Sequence, residues 1–305
     1  MNDYEETTFS KGCDEWLIYK QNTVKESSYL SYKFKINKYV RPDLGSKTLK
    51  ELARYDMNEY IIKKKNQKGI TENILKDCVM FLKSILRFLK RKYRIDFDLD
   101  FSYRLSGNVN EITVFNEKER QKLLKYLVKS DKAKTLGVFI SLYTGLRIGE
   151  VCGLKWEDID FENKILNVRR TVQRVYLGKN ESKITVTTPK SKKSVRKVPL
   201  SKVLIDKLKP LSNIYSKKDF VLTGTPDKCL EPLVYRYTYK MILKNSNILY
   251  RKYHCIRHTF ATRCIRVGMD IKSLSEVLGH SSIGITLSTY VHSSYEVKKK
   301  YIDKL

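Results

Sequence analysis

The sequence predicts a mainly α chain of the α+β kind: an N-terminal helical bundle, then a mainly helical second domain holding a small antiparallel β-sheet. Three observations carry this. Apolar residues recur at three- and four-residue spacing through the first 95 positions. Short segments rich in β-branched residues are confined to 164–200, and helical periodicity returns from Ser201 onward. At ~100–200 residues per domain, a chain of 305 residues suits about two domains.

In the first domain, residues 1–95, Trp16, Leu17 and Tyr19 mark one helix. Tyr29, Tyr32, Ile36 and Val40 mark a second, expected to stop before Pro42. Thr48 and Glu51 have the spacing of a capping box and open a third. The longest runs from Thr71 to about Arg94, with Leu75, Cys78, Leu82, Ile85 and Leu89 along one face. Four such helices make a small bundle. Residues 96–112 lose the periodicity and mix acids with Gly107 and asparagines, which predicts a linker. The second domain, 113–305, opens with a strand-like ITVF and a second capping box, Asn116 to Glu119, leading into a helix through Leu123, Leu124 and Leu127. Another helix covers 134–143. Strands are expected at KILNVR (164–169), TVQRVYL (171–177), KITVTT (183–188) and VRKVPL (195–200). The later helices have stops signalled by Pro210, Gly268 and Gly279.

With 61 Lys and Arg against 33 Asp and Glu, the net charge is +28. Such a chain favours polyanions: nucleic acid, an anionic membrane surface or acidic proteins. Lysines interleaved with tyrosines from Tyr32 to Arg41 suit phosphate contacts backed by aromatic packing, and Lys33, Lys35, Arg87 and Lys90 are candidates for them. A membrane-surface protein needs instead one helix with a concentrated apolar face. The longest apolar run, Leu136–Tyr143, is far short of the ~20 residues of a membrane span. The acidic N-terminus has no secretory h-region, so a cytoplasmic protein without membrane partners is expected. The six cysteines are scattered without a CxxC pair and read as reduced core thiols.

All four histidines (His254, His258, His280 and His292) lie near the C-terminus with Arg257, Arg263 and Arg266. His254 and Arg257 are three apart and share a helix face. His254 and His258 are four apart, but the helical metalloprotease pattern needs Glu directly after the first His, and Cys255 stands there. There is no Gly-rich Lys-Ser/Thr phosphate loop, so nothing points to a nucleoside triphosphate. Three further segments complete the constellation: TGLRIGEVCGLKW (144–156), PKSKKSVRK (189–197) and LGHSSIGITLSTYVH (278–292). In order and spacing, Arg147, His254 with Arg257, His280 and Tyr290 resemble the Arg, His-x-x-Arg, His and Tyr set of the tyrosine recombinase, or phage integrase, family. The resemblance covers the whole second domain. The bundle is similar, in helix pattern and charge, to that family's SAM-like core DNA-binding domain. No arm-binding domain is expected ahead of it, as in the compact two-domain members.

The resemblance implies a site-specific recombinase that cuts and rejoins DNA through a 3′-phosphotyrosine and needs no metal or other cofactor. Tyr290 is the implied nucleophile. Its attack on a phosphodiester builds negative charge on the non-bridging oxygens, which the guanidinium groups of Arg147 and Arg257 match. His254 takes the phenol proton or donates to the phosphate, and His280 adds a donor. The family's lysine sits in a turn between strands. Lys190 is assigned to it, with Lys192 and Lys193 as alternatives, since five of the eight residues 190–197 are basic. Glu150 is placed to buttress Arg147 or to form a simple surface ion pair, while His258 and His292 are left as structural. The implied partners are double-stranded recombination sites and a homo-tetramer on DNA with the segment after Tyr290 packing on a neighbouring protomer; the sequence leaves open whether an accessory DNA-bending or directionality factor joins them. A type IB topoisomerase, a non-cutting DNA-binding protein and an RNA-binding module are the rival readings. Integration, excision, inversion and dimer resolution all fit the same residues.

Overall fold

The computed structural model describes residues 6–103, 113–130, 132–178, 181–188, 194–290 and 303, and within these not the side chains of 176–178 and 288. The chain is mainly α and divides into two compact units, Met1–Val109 with Val175–Lys183, and Asn110–Arg174 with Ile184–Leu305.

In the first unit, α1 (Phe9–Thr23) starts at Thr8, whose side chain accepts from the Lys11 amide. α2 (Glu26–Lys35) does not end at Pro42 as expected. It passes through a π-helical turn, Ile36–Val40, into α3 (Arg41–Leu44). Pro42 falls in the first turn of α3, where its missing N–H breaks no bond. α4 (Leu49–Ala53) carries the capping box read from Thr48 and Glu51, and α5 (Met57–Lys65) follows. α6 (Glu72–Tyr93), capped by Thr71, buries Leu75, Cys78, Leu82, Ile85 and Leu89. Trp16, Ile36, Val40 and Leu44 meet this face in the core. Residues 95–103 have no regular secondary structure, yet Ile95, Phe97 and Phe101 are buried in the same core. Fully apolar side chains at alternate positions in an acidic stretch explain how an irregular segment is tied down. Lys64 is buried, with its ammonium 2.6 Å from Asp43, which also accepts from Tyr60. Among the basic candidates, Lys35 pairs with Asp77 and Lys90 with Asp96, and Lys33 is exposed. Arg87 lines a cavity of about 470 Å³ with Trp16, Tyr19 and Phe88.

In the second unit, 113–115, the described part of ITVF, is not the expected strand: Phe115 is buried and its amide donates to Thr259 Oγ1. Then come α7 (Glu117–Lys129), α8 (Ala133–Thr144) and α9 (Ile148–Cys152). The β segments divide into two sheets. β1 (Ile159–Asp160), β2 (Ile165–Val168) and β5 (Arg196–Pro199) form an antiparallel sheet in the order β1-β2-β5, with Leu166 opposite Val198 and Val168 opposite Arg196. β3 (Thr171–Gly178) and β4 (Glu181–Thr187), whose stretch Val175–Lys183 counts with the first unit, pair with each other. α10 (Lys202–Ser212) runs through Pro210 rather than stopping at it, forgoing the bond that an N–H there would give to the carbonyl of Asp206. α11 (Pro232–Asn245), α12 (His254–Arg266), α13 (Ile271–Leu278) and α14 (Ile283–Tyr290) complete the unit. Its core is built on α8, whose Val138, Phe139, Ile140 and Leu142 are buried with Tyr235, Tyr239 and Ile256. Among the described residues no helix is long and apolar enough to cross a membrane.

Candidate active site

The site lies around the C-terminal end of α13. Three arginines from three elements place donors on its last two carbonyls and on that of its C-cap, Gly279. Arg196 Nε donates to Val277 O at 2.5 Å, Arg257 Nη2 to Leu278 O at 2.7 Å, and Arg147 Nη2 to Gly279 O at 3.1 Å. A helix C-terminus carries partial negative charge and unpaired carbonyls, so it is a natural seat for cations in the absence of a phosphate. Gly279 ends the helix in the left-handed region (φ 66°), and a Cβ there would stand 2.9 Å from Arg196 Cδ. Glycine is therefore required twice over, by conformation and by the arginine.

Arg147 is the N-cap of α9. Its amide donates to Glu150 Oε2 at 2.9 Å and its Nη1 to Oε1 at 2.8 Å. Glu150 is buried and takes a second, bidentate partner in Arg196, with both contacts at 3.0 Å. Burial raises the Glu150 carboxyl, but the charges of Arg196 and Arg147 outweigh it and hold it below the ordinary value. Arg257 is 1% exposed and also donates to Gly145 O at 2.9 Å, while its buried Nε has no hydrogen-bond partner among the described residues. Burial, then the charge of Arg147, pulls its guanidinium down to about 9, still charged at neutral pH. An incoming anion would relieve both costs.

His254 begins α12 and His280 follows Gly279. His280 Nδ1 is 2.8 Å from Oγ1 of the fully buried Thr286. Desolvation first, with the charges of Arg257 and Arg147 also contributing, lowers both imidazoles to about 4. Arg147, Glu150, His254, Arg257 and His280 line one pocket of about 500 Å³, together with Thr171, Gln173, Ser194 and Ser281. Tyr290, on α14, is half-buried, and its phenol oxygen lies 2.8 Å from His258 Nδ1. Burial raises its phenol, and Arg257 and Arg147 pull it partly back.

Four of the six residues expected in the site therefore line this pocket, and the charges of two of them act on the fifth, Tyr290. Lys190, with Lys192 and Lys193, lies outside the described residues, as do His292 and the rest of 291–302. Sequence reasoning missed Arg196, hidden among five basic residues in eight. It also missed Thr286, and it left His258 as structural although His258 contacts the tyrosine. Spacing from His254 was the only available signal for His258.

Two arginines and two histidines converge in this one pocket, and comparison with known proteins gives the class. The phage integrase family matches residues 113–297, and the N-terminal SAM-like domain of phage integrases matches residues 8–65. The chain belongs to the phage integrase family, the tyrosine recombinases. A XerC-like tyrosine recombinase of Caldanaerobacter subterraneus is 36% identical over 213 residues, 64% of this chain and 54% of that protein. The transposase of transposon Tn916 from Enterococcus faecalis is 27% identical over 310 residues, covering 92% of this chain and 74% of its own length. The chain thus spans about half of the first relative and about three quarters of the second. Among solved structures, the Tn1549 transposon integrase in complex with transposon right-end DNA superposes with a TM-score of 0.80 at 22% identity, covering 98% of this chain and 99% of that one.

Proposed function

We propose that the protein recombines DNA at specific sites, with Tyr290 attacking a phosphodiester to form a 3′-phosphotyrosine. The observation that carries this reading is the single pocket lined by Arg147, His254, Arg257 and His280, whose arginine charges also act on the Tyr290 phenol. In it the two guanidiniums neutralise the charge that grows on the non-bridging oxygens. His254 and His280, neutral in the empty site, donate to the phosphate, and Lys190 protonates the departing 5′ oxygen. The covalent link conserves the energy of the broken bond, so rejoining needs no nucleotide cofactor. Residues 1–95 serve as the DNA-gripping domain and 113–305 as the catalytic one, and the enzyme works in the cytoplasm as a tetramer on two duplex sites. The relatives' names, a transposon transposase and an integrase crystallised with transposon-end DNA, support mobile-element DNA as the substrate.

The test uses nicked suicide duplexes drawn from the genomic DNA flanking the coding sequence, from which a short fragment diffuses away after cleavage. Wild type is expected to become covalently attached on a denaturing gel and Tyr290→Phe is not. Attachment by Tyr290→Phe overturns the assignment of the nucleophile; specific binding without cleavage by wild type overturns the enzymatic reading.

A further inference from the structure

The phenol of Tyr290 is held by a histidine that the catalytic set above does not use. His258 Nδ1 is 2.8 Å from Tyr290 Oη, and the two rings lie 5.4 Å apart. His258 follows His254 by one helical turn on α12, and their rings meet edge to face with centroids 4.6 Å apart. No hydrogen bond joins His254 to Tyr290 among the described residues. His254 lines the pocket instead. The two imidazoles are thus divided between two partners, one at the phosphate pocket and one on the attacking oxygen.

The surroundings of His258 suit a neutral base. His254 and Arg257 face it from α12 and Tyr290 from α14, and no carboxylate pairs with it among the described residues. Burial first, then the charge of Arg257, keeps its imidazole below the ordinary value. A neutral ring whose Nδ1 accepts from the phenol has its lone pair on the proton that must leave during attack.

We infer that His258 is the catalytic base for Tyr290 in strand cleavage and the acid that returns the proton in rejoining. The inference rests on the reading of Tyr290 as nucleophile. In cleavage the Tyr290 Oη–P bond forms and the P–O5′ bond breaks, the phenol proton passes to His258 Nδ1, and the 5′ oxygen takes a proton from Lys190. In rejoining the 5′ hydroxyl attacks phosphorus, its proton returns to Lys190, and the departing phenolate recovers its own from His258.

The experiment measures single-turnover attachment of the full chain to the nicked suicide duplexes that wild type attacks. His258→Asn keeps an acceptor near the position of Nδ1 but cannot take up a proton. It is expected to bind the duplex as wild type does and to attach about 10²- to 10⁴-fold more slowly. Replacing Tyr290 by 3,5-difluorotyrosine, a more acidic phenol, is expected to restore much of that rate in His258→Asn and to change wild type little. Attachment by His258→Asn at the wild-type rate, or a slow rate that the acidic phenol does not restore, overturns the proposal. A nitrogen-15 spectrum of the unmutated protein supplies a second reading. The His258 Nδ1 resonance is expected at the position of a neutral, hydrogen-bonded acceptor and to move in Tyr290→Phe, whereas an unmoved resonance overturns the contact. If Tyr290→Phe still attaches to DNA, the nucleophile assignment fails. If Tyr290→Phe is inert while His258→Asn is fully active, only the role of His258 fails.

Discussion

Arg196 and Glu150 form a buried, two-pronged ion pair, with Nη1 on Oε1 and Nη2 on Oε2, each at 3.0 Å. Between them they fix Arg147 and one carbonyl of α13. Breaking a buried pair from one side leaves an uncompensated charge. Arg196→Met is expected to cost about 3 kcal/mol, at the low end for such a loss because Arg147 stays on the same carboxylate. Urea denaturation measures it.

The same pair sets an acid limit. Glu150 is depressed in the folded state, so its stabilisation is complete above the ordinary carboxyl range and is lost as pH falls through the lowered value. In Arg196→Met the main counter-charge is gone and burial is left less opposed. The acid loss of stability, followed by denaturation at a series of pH values, is expected to begin at higher pH than in wild type and to flatten in Glu150→Gln.

DNA binding is expected to take up protons below about pH 6. His254 and His280 are pulled to about 4 from an ordinary 6.5 in the empty pocket. A bound phosphate favours their charged forms, so affinity rises as pH falls through that window, while the DNA-free fold loses stability there because the unfolded histidines bind protons first. Calorimetry in buffers of different ionisation enthalpy reads the uptake. It is expected to vanish when both residues are replaced by Gln, and uptake that survives the double replacement refutes the assignment.

Thr286 acts on the site through one bond, its Oγ1 to His280 Nδ1. Thr286→Val is expected to lower the single-turnover cleavage rate several-fold, in keeping with the ~1 kcal/mol of one hydrogen bond, and Thr286→Ser to restore it. An unchanged rate in the valine variant would remove Thr286 from the mechanism.

In the first unit, Lys64→Met strips Asp43 of its cation and leaves it the Tyr60 hydroxyl alone. A loss of roughly 1.5–3 kcal/mol is expected, the scale of a hydrogen bond to a charged group. Thermal melting of the full chain checks it.

Much of this architecture could be read from the chain because its signals are local. The capping boxes at Thr48 and Asn116, the apolar stripe of α6 and the helix stop at Gly279 depend on residues within a few positions of each other, and each formed as expected. The misreadings have non-local or compensated causes. Pro42 and Pro210 signal stops in the sequence, but Pro42 sits in the first turn of α3 and the packed fold carries α10 through Pro210. The pocket arginines and histidines stood out by order and spacing. Arg196 did not, because its neighbours are also basic and only the tertiary fold turns it inward to Glu150. His258 was legible as a neighbour of His254, but its contact with Tyr290 joins two helices that only tertiary packing brings together.

The seating of three arginines on the carbonyls of residues 277–279 makes the end of α13 a keystone, and a keystone tolerates substitution far better than displacement. Adding or deleting one residue within Ile271–Leu278 would turn everything beyond it by about 100° around the helix axis. All three acceptors and His280 would then leave their partners together. An insertion scan should therefore draw a sharp silent zone at 271–280, next to ordinary tolerance in the exposed connection after Ser212. Ahead of Gly279 and His280, length more than composition is what this stretch of the gene must preserve.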